Sequence, residues 1–215
     1  MTYVIFLSTI KLGLNYIDLI LNLCYKAYPA KLLRSIMKIP LPKLKAILLY
    51  FATHTDTKYL GKVKLMKLFY FLDFMHLKTY GAPVTYDSYI KLNHGPIPSF
   101  IKNLVDDAAD DIDHSVLSDI IHFERPASTK MYKILPNREF TEKDKEYFSE
   151  TEFEILAKVC VRYGNDNTGK IEDASHKESA WRETSFLEKI PYSLAAQDPD
   201  SKVSKEEIEL LLQIS

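Results

Sequence analysis

The apolar pattern becomes regular at Pro42, after which Leu44, Ile47, Leu48 and Phe51 recur at helical spacing and Thr53 to Lys58 form a polar turn. A second helix is predicted over Lys62 to Tyr80. Val63, Met66, Phe69, Leu72 and Met75 fall on adjoining turns, Lys64, Lys67 and Lys78 supply charges, and Gly81-Ala82-Pro83 ends it. Its length and apolar content make it the spine of the core. Tyr89 to Leu92 alternates like a half-buried strand, and Pro96 and Pro98 then precede a helix carrying Phe100, Ile101, Leu104 and Val105. Ile120 to Phe123 and Met131 to Ile134 read as two strands of a hairpin. Thr151, with Glu154 three residues on, is placed to cap a helix through Ile155, Leu156 and Val159 that Gly164 and Asn165 stop. A short helix over Ile171 to Ser175 leads into His176 and Trp181, and Lys202 to Leu212 has the pattern of a charged amphipathic helix entered through Ser204.

These elements predict an α+β fold: a mainly helical single domain with a small antiparallel sheet, over residues 37–196, followed by a C-terminal helix within 197–215. Residues 1–36 are apolar and then basic, and Pro40 and Pro42 interrupt before the fresh start. This stretch is either an amphipathic arm or a mis-assigned start ahead of Met37. No Lys or Arg precedes Tyr3 to Leu7 and no small-residue cleavage site follows, which argues against a secretion signal. Lys11 and Asp18 break the run too early for a membrane span.

Composition changes the picture mainly by exclusion. Hydrophobic residues make up 47% and charged residues 27%, an ordinary globular balance. With 28 basic against 29 acidic side chains there is no global positive field to attract nucleic acid, which is therefore not expected as a partner. Cys24 and Cys160 stand alone in apolar helical patterns, so a reducing cytoplasmic setting is expected.

Several fragments of chemical motifs fail on inspection. Gly164 to Lys170 fits the start of a phosphate-binding loop, but Ile171 stands where a Ser or Thr would ligate magnesium, and the segment follows a helix. A helix-to-helix turn is expected there. Asp106, Asp107, Asp110, Asp111 and Asp113 lack the central Gly and closing Glu of a calcium loop and read as a solvated helix end. No histidine pair has zinc-ligand spacing, and Ser175-His176 lacks the glycines of a nucleophile elbow. No catalytic constellation, cofactor or metal is expected.

Three segments together carry a family resemblance. They are Lys64-Leu65-Met66-Lys67-Leu68-Phe69-Tyr70-Phe71 running on to His76 and Tyr80-Gly81, then Leu92-Asn93-His94-Gly95-Pro96-Ile97-Pro98, then Ser175-His176-Lys177-Glu178-Ser179-Ala180-Trp181. In order and interval, residues 42 to 193 resemble the Panacea domain of SocA-like antitoxins and phage-associated proteins. Ala180 departs from the proline many members carry, which loosens the backbone before Trp181. The resemblance implies a non-enzymatic module that neutralises a cognate protein toxin by direct binding, with a protease as second partner if it acts as a proteolytic adaptor.

The partner-binding candidates are Tyr70, Asp73 and His76 as a polar rim three residues apart, His94, Gly95, Pro96 and Pro98 in the loop, and His176, Glu178 and Trp181. Each has a plainer reading. Large apolar groups at helical spacing bury area whatever the function. Gly95 and the prolines suit a structural turn. Trp181 fits a core plug as well as an interface anchor. His176 and Glu178 suit orientation of their loop. The alternatives to an antitoxin are a DNA-binding regulator, motivated by the lysine-rich stretch from Lys26 to Lys67, and a hydrolase using pocket His and Glu residues.

Overall fold

The computed structural model describes residues 39–126 and 131–214; the expected arm, residues 1–36, lies outside them. Helix α1, Leu41–His54, starts with Pro42 in its first turn, where no intrahelical N–H bond is lost, and buries Leu44, Ile47, Leu48 and Phe51. Helix α2, Lys62–Tyr80, is buried continuously from Lys64 to Lys78. A helix apolar on all sides belongs inside a domain, and α2 packs against five of the elements that follow it. It ends on Gly81 at φ +84°, whose N–H caps the Leu77 carbonyl.

The expected strand, β1 at Tyr89–Leu92, pairs antiparallel with β2 at Gly95–Pro98, in register Ile90 to Ile97 and Leu92 to Gly95. The segment His94–Pro98, expected as a loop, is thus a hairpin turn plus a strand. The outer edge of β1 is taken by the chain near Lys189: Lys91 N–H donates to Glu188 O at 3.0 Å and Leu187 N–H to Lys91 O at 2.9 Å. Tyr89 and Lys91 therefore turn their backbone groups away from β2, and Pro96 and Pro98 sit where an N–H would point away from β1.

Helix α3 is Ser99–Asp110; β3, Ile121–Glu124, pairs antiparallel with β4, Lys133–Pro136, slightly beyond the predicted hairpin bounds. A single turn, α4 at Glu142–Lys145, precedes α5, Glu150–Tyr163. The cap of α5 is Ser149 with Glu152, two residues before the expected Thr151 and Glu154. Thr151 is instead the partner of His76, its Oγ1 3.2 Å from Nε2. Helix α6, Thr168–Lys177, is capped by Asn167, so Gly164 to Lys170 forms the helix-to-helix turn anticipated for it. Then follow α7, Ser179–Arg182, a 3-10 helix at Tyr192–Gln197, and α8, Lys205–Ile214, packed on that 3-10 helix. The fold is mainly helical α+β, as the periodicities predict, and its strands form two small antiparallel sheets among the described residues.

The three lysines that supply charge to α2, Lys64, Lys67 and Lys78, are buried with it: their exposures are 0%, 0% and 2%. A buried ammonium needs partners, and each amine has one or more. Lys64 Nζ donates to Gly164 O at 2.7 Å, Lys67 Nζ to Pro96 O at 2.7 Å, and Lys78 Nζ to Glu178 at 2.7 Å and Asp200 at 2.9 Å.

Candidate functional site

The three motif segments meet around the β1–β2 hairpin. Gly95, at φ +92°, lies so close to α2 and α6 that a Cβ would fall 2.6 Å from Ser175 Oγ and 2.8 Å from Lys67 Cε. Only glycine meets both demands. Lys67 then ties the next carbonyl, Pro96 O, to the spine; burial pushes this amine down to about 7, against the opposing pull of Glu172.

Trp181 braces the hairpin from the other side. It is half-buried and stacks on His176 with centroids 3.9 Å apart, lies under Lys91 Nζ at 4.2 Å, and donates from Nε1 to Leu92 O at 3.4 Å. Ala180 is in the first turn of α7, where a proline's missing N–H is no loss, so alanine stands in without disturbing that turn. His94, at the hairpin turn, is exposed and pairs with Glu172 at 3.0 Å.

Glu178 turns the other way, into a buried charge cluster with Lys78, Asp198 and Asp200. Burial pushes its carboxyl up to about 7, although Lys78 pulls it down. Burial alone would lower Lys78, but the three carboxylates outweigh it and the ammonium is held charged. A carboxyl raised from its usual 4.5 to about 7 contributes stability that is full below pH 4.5 and lost as pH rises through 7. Glu178→Gln is therefore expected to flatten the fall in melting temperature across that window. Calorimetry at several pH values on both proteins checks this, and parallel profiles would refute it.

The polar-rim reading of Tyr70 and Asp73 is corrected by their burial, 0% exposed in each case. Asp73 is a structural acceptor inside the core: Val84 N–H, Thr85 N–H and the Tyr89 hydroxyl donate to it at 2.7 to 2.8 Å, and the Thr85 hydroxyl also bonds it. Tyr70 packs against Phe74 and Tyr89. His76 is buried as well, held between Ala82 O and Thr151. These three residues shape the spine, while His94, Gly95, Pro96, Pro98, His176 and Trp181 gather at the hairpin.

Beside the hairpin turn opens a cleft of about 470 Å³, which the periodicity reading missed. Its apolar lining comes from Val63 and Met66 at the start of α2, Leu92 and Ile97 of the hairpin, and Phe186. Val63 and Phe186 are exposed, at 38% and 53%. On the rim Asp106 is shared by Lys62 and Lys102, each at 2.8 Å. Exposed apolar residues converging on one concavity mark a binding surface more often than scattered ones do.

Of the groups the hydrolase reading invokes, Glu178 binds Lys78 and Ser175 Oγ donates to Glu172 O, while His176 stacks on Trp181 with its Nε2 buried and without a hydrogen-bond partner among the described residues. Among the described residues no cluster of His, Cys, Asp or Glu is arranged to hold a metal ion. Of the lysines behind the DNA-binding reading, Lys64 and Lys67 are buried, and Lys43, Lys45 and Lys62 are ion-paired. No helix of the described residues is long and apolar enough to cross a membrane.

Fold and site together define a mainly helical domain that holds a braced hairpin beside an apolar cleft. The chain belongs to the antitoxin SocA-like, Panacea domain family, whose sequence model matches residues 65–182, more than half of its length and all three motif segments. Neither a curated protein nor a solved structure gives a significant match. Membership of an antitoxin family gives the chain a toxin–antitoxin related role.

Proposed function

We propose that this protein neutralises a cognate protein toxin by direct, non-enzymatic binding, and that the toxin docks on the hairpin and the cleft beside it. The observation that carries this reading is the convergence of Val63, Met66, Ile97 and Phe186 on one open apolar cleft, walled by the hairpin that the family motifs brace. Burial of α2 runs from Lys64 to Lys78 and stops at Val63, which stays exposed on the cleft together with Phe186. Lys67, Gly95 and Trp181 act as positioning residues, and His94 lies at the contact edge. A cytoplasmic location suits the free, buried Cys160, whose thiol burial pushes up to about 12. Action as a proteolytic adaptor would add a protease as second partner on a different face.

The test co-expresses this chain with the products of the reading frames that flank its gene, one of which is expected to arrest growth on its own. The native chain is expected to restore growth. Val63→Asp and Phe186→Asp, each putting a charge into the cleft wall, should weaken toxin binding by about 2–4 kcal/mol, as hot-spot changes do, with little loss of melting temperature. Rescue by both variants at native level would rule out this cleft as the docking site.

A further inference from the structure

Ser185–Glu188 closes as a β-turn, with Glu188 N–H donating to Ser185 O at 3.1 Å. Its third residue, Leu187, is held at φ +67°, a conformation that favours glycine or asparagine there. Leu187 is nevertheless 64% exposed, next to Phe186 in the cleft wall. Its backbone N–H bonds Lys91 O, a bond that glycine would make equally well. The strained conformation thus holds an apolar side chain largely in solvent. Strain kept at a surface position is a pointer to function. The rim supplies a second observation. Lys62 and Lys102 reach the same carboxylate, Asp106, from two walls, so two ammonium groups share one negative charge. Each ammonium has three donors, which leaves them able to bind a further acceptor.

We propose that the cleft takes an apolar anchor side chain of a partner polypeptide flanked by a carboxylate, with the Phe186–Leu187 turn as the lip that closes over the anchor. This rests on the toxin-docking reading and names the chemistry of the segment that docks. The carboxylate lands between Lys62 and Lys102, beside or in place of Asp106, and the apolar anchor packs on Val63, Met66 and Ile97. A basic segment would meet the excess positive charge of that rim and be disfavoured.

Methyl-labelled full-length protein titrated with three short synthetic peptides tests the proposal. All share one scaffold: two leucines flanked by glutamates, the same leucines flanked by lysines, and the glutamate peptide with serines for leucines. The glutamate–leucine peptide is expected to shift the Val63, Met66 and Ile97 methyl signals and to bind at least about tenfold more tightly than the other two. Lys62→Glu combined with Lys102→Glu should invert the preference between glutamate and lysine flanks. Leu187→Gly should bind the glutamate–leucine peptide more weakly while its melting temperature stays level or rises. Equal affinity for acidic and basic peptides, shifts confined to another face, or signal changes reporting self-association would overturn the proposal. So would a Leu187→Gly protein that melts early or binds as well as the native chain. If Val63→Asp and Phe186→Asp still abolish growth rescue in that event, toxin docking in the cleft stands and the acidic-anchor chemistry alone falls.

Discussion

Truncation of Phe69 to alanine should remove about 3–5 kcal/mol of folding free energy, a large share of the 5–15 kcal/mol that holds a domain of this kind together. Phe69 lies on the buried spine with no exposed area and meets Phe51 of α1 edge to face, centroids 5.3 Å apart. Deleting the ring therefore opens a void between α1 and α2. Urea denaturation measures the loss. A variant within 1 kcal/mol of the native chain would show that α1 and α2 can collapse onto the vacated volume, contrary to the packing found here.

The second large effect is expected at Lys78. Its ammonium, 3% exposed at the side chain, is the one cation among the described residues ion-paired with Glu178, Asp198 and Asp200, and the first two of those carboxylates are themselves largely buried. Lys78→Ala should cost about 3–5 kcal/mol, because removing one partner leaves uncompensated carboxylates in a poorly solvated site. Lys78→Met with Glu178→Gln should recover part of that loss, since removing both members of a pair spares the desolvation of an orphaned charge. Double-mutant analysis by urea denaturation at pH 7 separates the two effects. A Lys78→Ala cost below 1 kcal/mol, or a double variant less stable than Lys78→Ala, would contradict the clasp.

The longer helices were legible because each buries a stripe or a whole cylinder of apolar residues, and the end of α2 could be read from Gly81; α4, α7 and the 3-10 helix are too short to carry such a stripe. What periodicity left unplaced were groups whose partners lie far away in the chain. Lys67 meets a carbonyl 29 residues on, and Lys64 and Lys78 meet acceptors 100 residues on. A pattern rule assigns a lysine to solvent unless it knows of such a partner. The signal was nonetheless present: three lysines set in a helix with no polar face. The cap of α5 was ambiguous because Ser149-to-Glu152 and Thr151-to-Glu154 both have the capping spacing, and Thr151 was diverted to His76 by packing. Strand β2 was hidden by its prolines, which argue against a strand unless its N–H positions face away from the partner. Of the site, the hairpin and its braces followed from the motif segments. The cleft did not, because Val63, Ile97, Lys102 and Phe186 come from four separate elements.

Those same prolines limit how anything can attach to this domain. An ordinary hairpin edge offers a row of alternating donors and acceptors onto which a foreign strand can zip, the commonest route both to peptide capture by a sheet and to edge-to-edge aggregation. Here Pro96 and Pro98 have no N–H to offer on the outward side of β2, the Pro96 carbonyl is already bound by Lys67, and the far edge of β1 is occupied by the chain at Leu187 to Ile190. The sheet is sealed against backbone templating on both flanks. A partner that binds at the hairpin must be recognised by its side chains, one pocket and one charge at a time, which makes recognition selective for sequence rather than for any extended polypeptide.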